Sequence, residues 1–124
     1  MASGPLIAIV EDDEVLLTAI DQLLRSCGYC TSGHGCAEDF LASGAIAAAL
    51  CVITDIQMPG MDGVDLKHRI DAMAPGTPVI LVTARAEDHV LKRARASNPW
   101  GLLNKPFEPD ALVECVASAL DRDH

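Results

Sequence analysis

The sequence predicts an α/β fold, doubly wound, in which helices cover both faces of a parallel sheet. Three observations carry that expectation. Five short apolar runs alternate with five stretches of helical periodicity, the pattern of a layered α/β domain. Several of the runs are apolar without interruption, as in strands buried on both faces. Each interval between runs is taken up by a helical stretch, the crossover that joins parallel strands. At 124 residues the chain is expected to be a single domain, 1–124, with no effector domain in it.

The elements follow in order. Leu6 to Val10 is the first buried strand. Val15, Leu16, Ala19, Ile20, Leu23 and Leu24 then repeat at helical spacing, and Gly28 ends the pattern. Tyr29 to Ser32 is a weak second strand, followed by a short helix carrying Ala37, Phe40 and Leu41 that stops near Gly44. Leu50 to Thr54 is the third strand, and the loop Met58-Pro-Gly-Met-Asp-Gly63 separates it from a helix marked by Leu66, Ile70 and Met73. Pro75-Gly76 breaks that helix. Val79 to Val82 is the fourth strand; Val90, Leu91 and Ala94 mark the fourth helix, which Asn98 and Pro99 end. Trp100 to Leu103 is the fifth strand, and Leu112, Val113, Val116 and Leu120 mark the last helix.

Composition excludes several function classes. Nine Lys and Arg against eighteen Asp and Glu give a net charge of −9, the wrong sign for a surface that binds nucleic acid. Aromatic residues are 3% of the chain, too few for base-stacking platforms. No apolar run reaches the roughly 18–20 residues of a membrane span, and Met1 to Pro5 shows no secretory signal, so a cytoplasmic location is expected. Five irregularly spaced cysteines read as reduced, buried or half-buried thiols. Cys27-Gly-Tyr-Cys30 has the spacing of a redox dithiol, but it closes a helix where a reactive pair should open one. His34, His68, His89 and His124 share no metal-binding spacing and read as surface residues.

In doubly wound sheets, ligands bind at the carboxyl ends of the strands. The residue after each apolar run therefore tests for a site. The first strand ends in Glu11-Asp12-Asp13, the third in Asp55, the fourth in Thr83 and the fifth in Lys105. At about 4 Å and an effective dielectric near 20, each ionised carboxylate pair costs on the order of 4 kcal/mol. One ammonium cannot neutralise three carboxylates, and a hard divalent cation such as Mg²⁺ answers the excess. Asp12 and Asp55 are the preferred ligands, with Glu11 holding a coordinated water and the Gln57 backbone carbonyl completing the protein's share. Asp55 can also act as a nucleophile towards phosphorus, giving an acyl phosphate. Mg²⁺, Lys105 and the Thr83 hydroxyl would then neutralise the three equatorial oxygens. Each residue has a plainer reading: Asp12, Asp13 and Thr83 as helix caps, Lys105 as a loop residue, Asp55 as a turn former. Their joint occurrence at the same ends of the right strands favours the site.

With those residues in place, the sequence resembles a two-component response-regulator receiver domain of the single-domain, chemotaxis type, from Leu6 to about Leu120. The marks are Ile9-Val-Glu-Asp12, Val52-Ile-Thr-Asp55, Met58-Pro-Gly-Met-Asp-Gly63, Leu81-Val-Thr-Ala84 and Lys105-Pro-Phe107. The resemblance implies a flavodoxin-like (βα)5 three-layer sandwich with strand order 2-1-3-4-5. It implies a phosphorylation-activated switch of a phosphorelay rather than an enzyme: a domain that promotes only its own aspartyl phosphorylation and dephosphorylation. Asp55 would accept the phosphoryl group from a phosphohistidine of a sensor histidine kinase or histidine phosphotransfer protein. Glu11, Asp12, Asp55 and the Gln57 carbonyl would serve Mg²⁺, Thr83 would be the switch hydroxyl, and Lys105 would contact the phosphoryl group. It also implies a cis peptide between Lys105 and Pro106. Output would reach a downstream protein through the face of helix four, strand five and helix five, from a monomer or weak homodimer, with no direct nucleic-acid or membrane contact.

Two features depart from the family pattern. Leu102 stands where an aromatic residue usually accompanies the switch hydroxyl, and Asn98-Pro99 replaces a small Gly-Ala pair. Arg85, Lys92, Arg93 and Arg95 gather at helix four and read as a solvated face, with docking of an acidic partner or a second copy as the functional alternative. The alternative class is a haloacid-dehalogenase-type Mg²⁺-dependent phosphatase, which needs a second Asp two residues after the nucleophile; Gln57 occupies that place. Flavin mononucleotide binding would need a hydroxyl-rich loop after the first strand, where Glu11 to Glu14 would repel phosphate.

Overall fold

The structure, a computed structural model, describes residues 4–84 and 87–121. Five strands, β1 (Leu6–Val10), β2 (Cys30–His34), β3 (Cys51–Asp55), β4 (Val79–Thr83) and β5 (Gly101–Asn104), form one sheet in the order β2-β1-β3-β4-β5. All pairings are parallel. The helices are α1 (Glu14–Ser26), α2 (Ala37–Ser43), α3 (Gly63–Met73), α4 (Asp88–Ala96) and α5 (Pro109–Asp121), with one turn of 3-10 helix at Ala45–Ala47. The doubly wound α/β expectation holds, including its strand order.

Strand alternation divides the core in two. Ile7, Ile9, Ile53, Ile80 and Val82 meet Ile20 and Leu24 of α1 and Leu112, Val116 and Ala119 of α5. Ala8, Val10, Val52, Val79 and Leu81 meet Phe40 of α2, Leu66 and Ile70 of α3 and Ala94 of α4. Every residue of β3 and β4 is buried, which explains why these two runs show no polar alternation in the sequence.

The helix ends follow local chemistry. Asp13 caps α1, its carboxylate accepting from Val15 and Leu16 N–H. Gly28 at φ 96° and Asn98 at φ 57° take the left-handed turns that stop α1 and α4. Asp62 caps α3 by accepting from Asp65 N–H at 2.9 Å. Gly63 is required by a close approach: a Cβ there would lie 2.1 Å from the Asp55 carbonyl oxygen. The start of α3 can therefore press against the end of β3.

Three details differ from expectation. β2 runs two residues further than its polar sequence suggests, pairing along the whole of β1 from Leu6–Cys30 to Val10–His34. Thr83 is not a helix cap: it ends β4, and α4 begins only at Asp88. His34 is half-buried, packed edge-on against the Phe40 ring at 5.2 Å, and burial lowers its pKa below 6.5. His68 and His89 are exposed as expected; His124 and Arg85 lie outside the described residues. No disulfide forms among the described residues; Cys51 is buried and Cys27 exposed.

Candidate functional site

The order β2-β1-β3 puts the topological switch point between β1 and β3, because the chain leaves β1 in one direction and returns to β3 on its other side. Backbone hydrogen bonds carry the ladder past the strand ends. Glu11 N–H donates to the His34 carbonyl at 2.9 Å, Ile56 N–H to the Val82 carbonyl at 2.9 Å, and Lys105 N–H to the Thr83 carbonyl at 2.8 Å. These bonds fix where Glu11, Asp55 and Lys105 leave the sheet. The Lys105–Pro106 peptide is cis, in agreement with the expectation.

Lys105 Nζ lies 2.9 Å from Glu11 Oε1 and 3.2 Å from Asp55 Oδ2, bridging two buried carboxylates. Glu11, Asp12 and Asp55 each offer an oxygen within 4.8 Å of the others. Glu11 is 2% exposed and Asp55 5%, whereas Asp12 faces solvent. Asp55 Oδ1 is buried with no hydrogen-bond partner among the described residues. A buried carboxylate oxygen without a partner is costly, so it marks a place for a ligand.

The electrostatics agree. Burial pushes the Asp55 carboxyl above its usual pKa, with the Asp12 charge adding to the rise and the Lys105 ammonium opposing it. Burial likewise raises Glu11, against its hydrogen bonds with Lys105 and Asp13 N–H. Lys105 is drawn down by burial, but Glu11 and Asp55 together outweigh this and hold it above 10.5. One ammonium is thus shared between carboxylates that remain under-neutralised. Three carboxylates around an orphaned oxygen suit a hard divalent cation with oxygen ligands.

Thr83 is fully buried at the end of β4, and its hydroxyl donates to Gln57 Oε1 at 2.9 Å. The strand pair Asp55–Val82 places Thr83 one residue beyond the partner of Asp55. All the expected side chains therefore gather at one sheet edge. The Gln57 side chain is an addition that sequence reasoning missed; only its carbonyl was singled out, and nothing in the local pattern points the amide at a residue 26 positions away. Two further contacts were equally invisible. Glu38 of α2 accepts from Met61 N–H at 2.9 Å, stitching down the loop after β3. Arg93 of α4 pairs with Asp62, the cap of α3, and with Asp65 of α3, each at 2.6 Å, and so is a tie between helices; Lys92 and Arg95 do face solvent. Leu102 is partly buried against the α2–α3–α4 side of the core.

Known proteins fit this arrangement. Residues 7–117 match the response regulator receiver domain family. The C4-dicarboxylate transport transcriptional regulatory protein DctD of Rhizobium meliloti is 34% identical over 122 residues, covering 98% of this chain and 26% of DctD. The transcriptional regulatory protein FixJ of Bradyrhizobium diazoefficiens is 29% identical over 114 residues, 92% of this chain and 56% of FixJ. The chain thus spans between about a quarter and about half the length of these curated relatives. Among solved structures, a CheY-like receiver domain protein from Methanospirillum hungatei superposes with a TM-score of 0.88 at 28% identity, covering 97% of this chain and 96% of that one. The BeF3-activated DrrB receiver domain gives the same TM-score and identity, covering 97% and 100%. The phosphatase alternative is left without support. The buried acidic edge, its lysine and hydroxyl, the strand order and the match across residues 7–117 converge on one conclusion: the chain belongs to the response regulator receiver domain family, whose members are phosphoacceptor signalling switches.

Proposed function

We propose that Asp55 is the phosphoacceptor of this receiver domain and that Glu11, Asp12, Asp55 and the Gln57 carbonyl hold Mg²⁺ during the reaction. An Asp55 carboxylate oxygen attacks the phosphorus of a phosphohistidine on a sensor histidine kinase or histidine phosphotransfer protein. The P–N bond breaks, the imidazole leaves with its electron pair, and an acyl phosphate remains on Asp55. Mg²⁺, when bound, would supply charge neutralisation to the transferring oxygens. Lys105, already 3.2 Å from Asp55, stays charged at neutral pH and contacts a phosphoryl oxygen. The Thr83 hydroxyl reports the new group by turning towards it, and the face of α4, β5 and α5 passes the change to a downstream protein. The observation that supports this reading most is the buried, partnerless Asp55 Oδ1 at the end of β3, beside the one lysine that bridges the pocket.

Incubation with Mg²⁺ and acetyl phosphate, read by intact mass, tests the reading. It predicts a gain of one phosphoryl group that is lost on chelation and absent in Asp55→Asn. Folded protein that gains nothing would refute it, and repeated turnover of a phosphate ester would support the phosphatase instead.

A further inference from the structure

The Thr83 hydroxyl donates to Gln57 Oε1 at 2.9 Å. A threonine hydroxyl carries one hydrogen and can donate once. While it donates to Gln57, it cannot donate to an oxygen carried by Asp55. We propose that Gln57 is a positioning residue, a latch that holds the Thr83 hydroxyl away from the phosphoryl site until Asp55 is modified. The proposal rests on the reading of Asp55 as phosphoacceptor and Thr83 as its switch hydroxyl.

Several features give the latch its leverage. Thr83 is fully buried and Gln57 half-buried, so water competes poorly for the hydrogen bond. Gln57 lies two residues past Asp55, on the loop that leaves the same strand, so both acceptors compete for one hydroxyl at one edge of the sheet. A groove of about 310 Å³, lined by Ile56, Val64, Glu87 and Val90 as well as Gln57, gives the released amide space to withdraw. Arg93 borders the same groove and ties α4 to Asp62 at the far end of that loop. The Leu102 side chain carries no polar atom, whereas the Gln57 amide oxygen accepts directly from the hydroxyl.

A bond made in only one of two states biases the equilibrium by its own strength, and removing it favours the other state. The loss of one neutral hydrogen bond corresponds to about a two- to tenfold change. The probe is beryllofluoride with Mg²⁺, which mimics a phosphoryl group on a carboxylate, titrated into the full chain and followed by ¹⁹F NMR. Gln57→Met keeps the length of the side chain and removes the amide acceptor; Gln57→Leu is the second acceptor-free variant should the first not fold. The proposal predicts that Gln57→Met binds beryllofluoride about two- to tenfold more tightly than the parent. It further predicts that the gain vanishes when Thr83→Val is present in both proteins being compared. Unchanged or weaker binding in folded Gln57→Met would overturn the latch, as would a gain that persists alongside Thr83→Val. A parent chain that binds no beryllofluoride would instead overturn the phosphoacceptor reading beneath it.

Discussion

Asp55 and Glu11 are the residues on which the chemistry and the stability of this molecule pull against each other. Both carboxyls have folded-state pKa values raised by burial, so the folded chain binds their protons more tightly than the unfolded chain does. Stability from these two groups therefore falls as pH rises from their unfolded pKa values through their higher folded ones. Lys105 has the opposite effect: its raised pKa contributes stability that is present at neutral pH and is lost only as pH climbs past 10.5. It follows that Asp55→Asn, without metal, should be more stable than the parent at pH 7. Chemical denaturation at pH 7 and pH 4 checks this, and the difference should shrink at the lower pH. Glu11, Asp12, Asp55, Thr83 and Lys105 were legible in the sequence because each stands at the end of an apolar run, where the fold class fixes its position. The amide of Gln57 was not, because its partner comes from another strand and no local period links the two.

At the scale of elements, the sheet is read from the sequence more accurately than the contacts between helices. The uninterrupted runs of β3 and β4 announce strands buried on both faces. β2 is weaker in sequence because it is an edge strand, and its length is set by pairing with β1 rather than by its own residues. Thr83 shows the limit of local rules: a hydroxyl ahead of a helix suggests a cap, but the helix starts too late for it. The join between α3 and α4 depends on Asp62, which caps α3 through Asp65 N–H and pairs with Arg93 across 31 residues. Burial alone would raise the Asp62 carboxyl; the Asp65 N–H and Arg93 outweigh it and hold it below 3.8. Its contribution is therefore present at neutral pH and lost as pH falls through its own titration. Asp62→Ala should cost about 1–2 kcal/mol, through the cap and the ion pair together. Arg93→Ala should cost about 0.5–1 kcal/mol, and adding salt should narrow its difference from the parent because the pair is partly exposed. Denaturant midpoints at low and high ionic strength separate the two.

For the whole molecule, the net charge of −9 gains a location. Glu11, Asp12, Asp13, Glu14 and Asp55 are five of the eighteen acidic residues, and they cluster where β1 and β3 end. The fold brings Asp55 against Glu11 and Asp12, from which the unfolded chain would keep it apart, so a divalent cation should bind the folded state far better than the unfolded one. Mg²⁺ at about a hundred times its dissociation constant should then add roughly 2.7 kcal/mol of stability. A thermal melt should rise with Mg²⁺ and return on chelation, and Asp55→Asn should reduce the rise. The central claim is that the charge gathered at this edge exists to receive a phosphoryl group on one carboxylate. Its most direct test is to treat the chain with Mg²⁺ and acetyl phosphate, cleave the acyl phosphate reductively with borohydride, and map the peptides by mass. The account predicts homoserine at position 55, dependent on Mg²⁺; a reduced residue elsewhere, or none in folded protein, would contradict it.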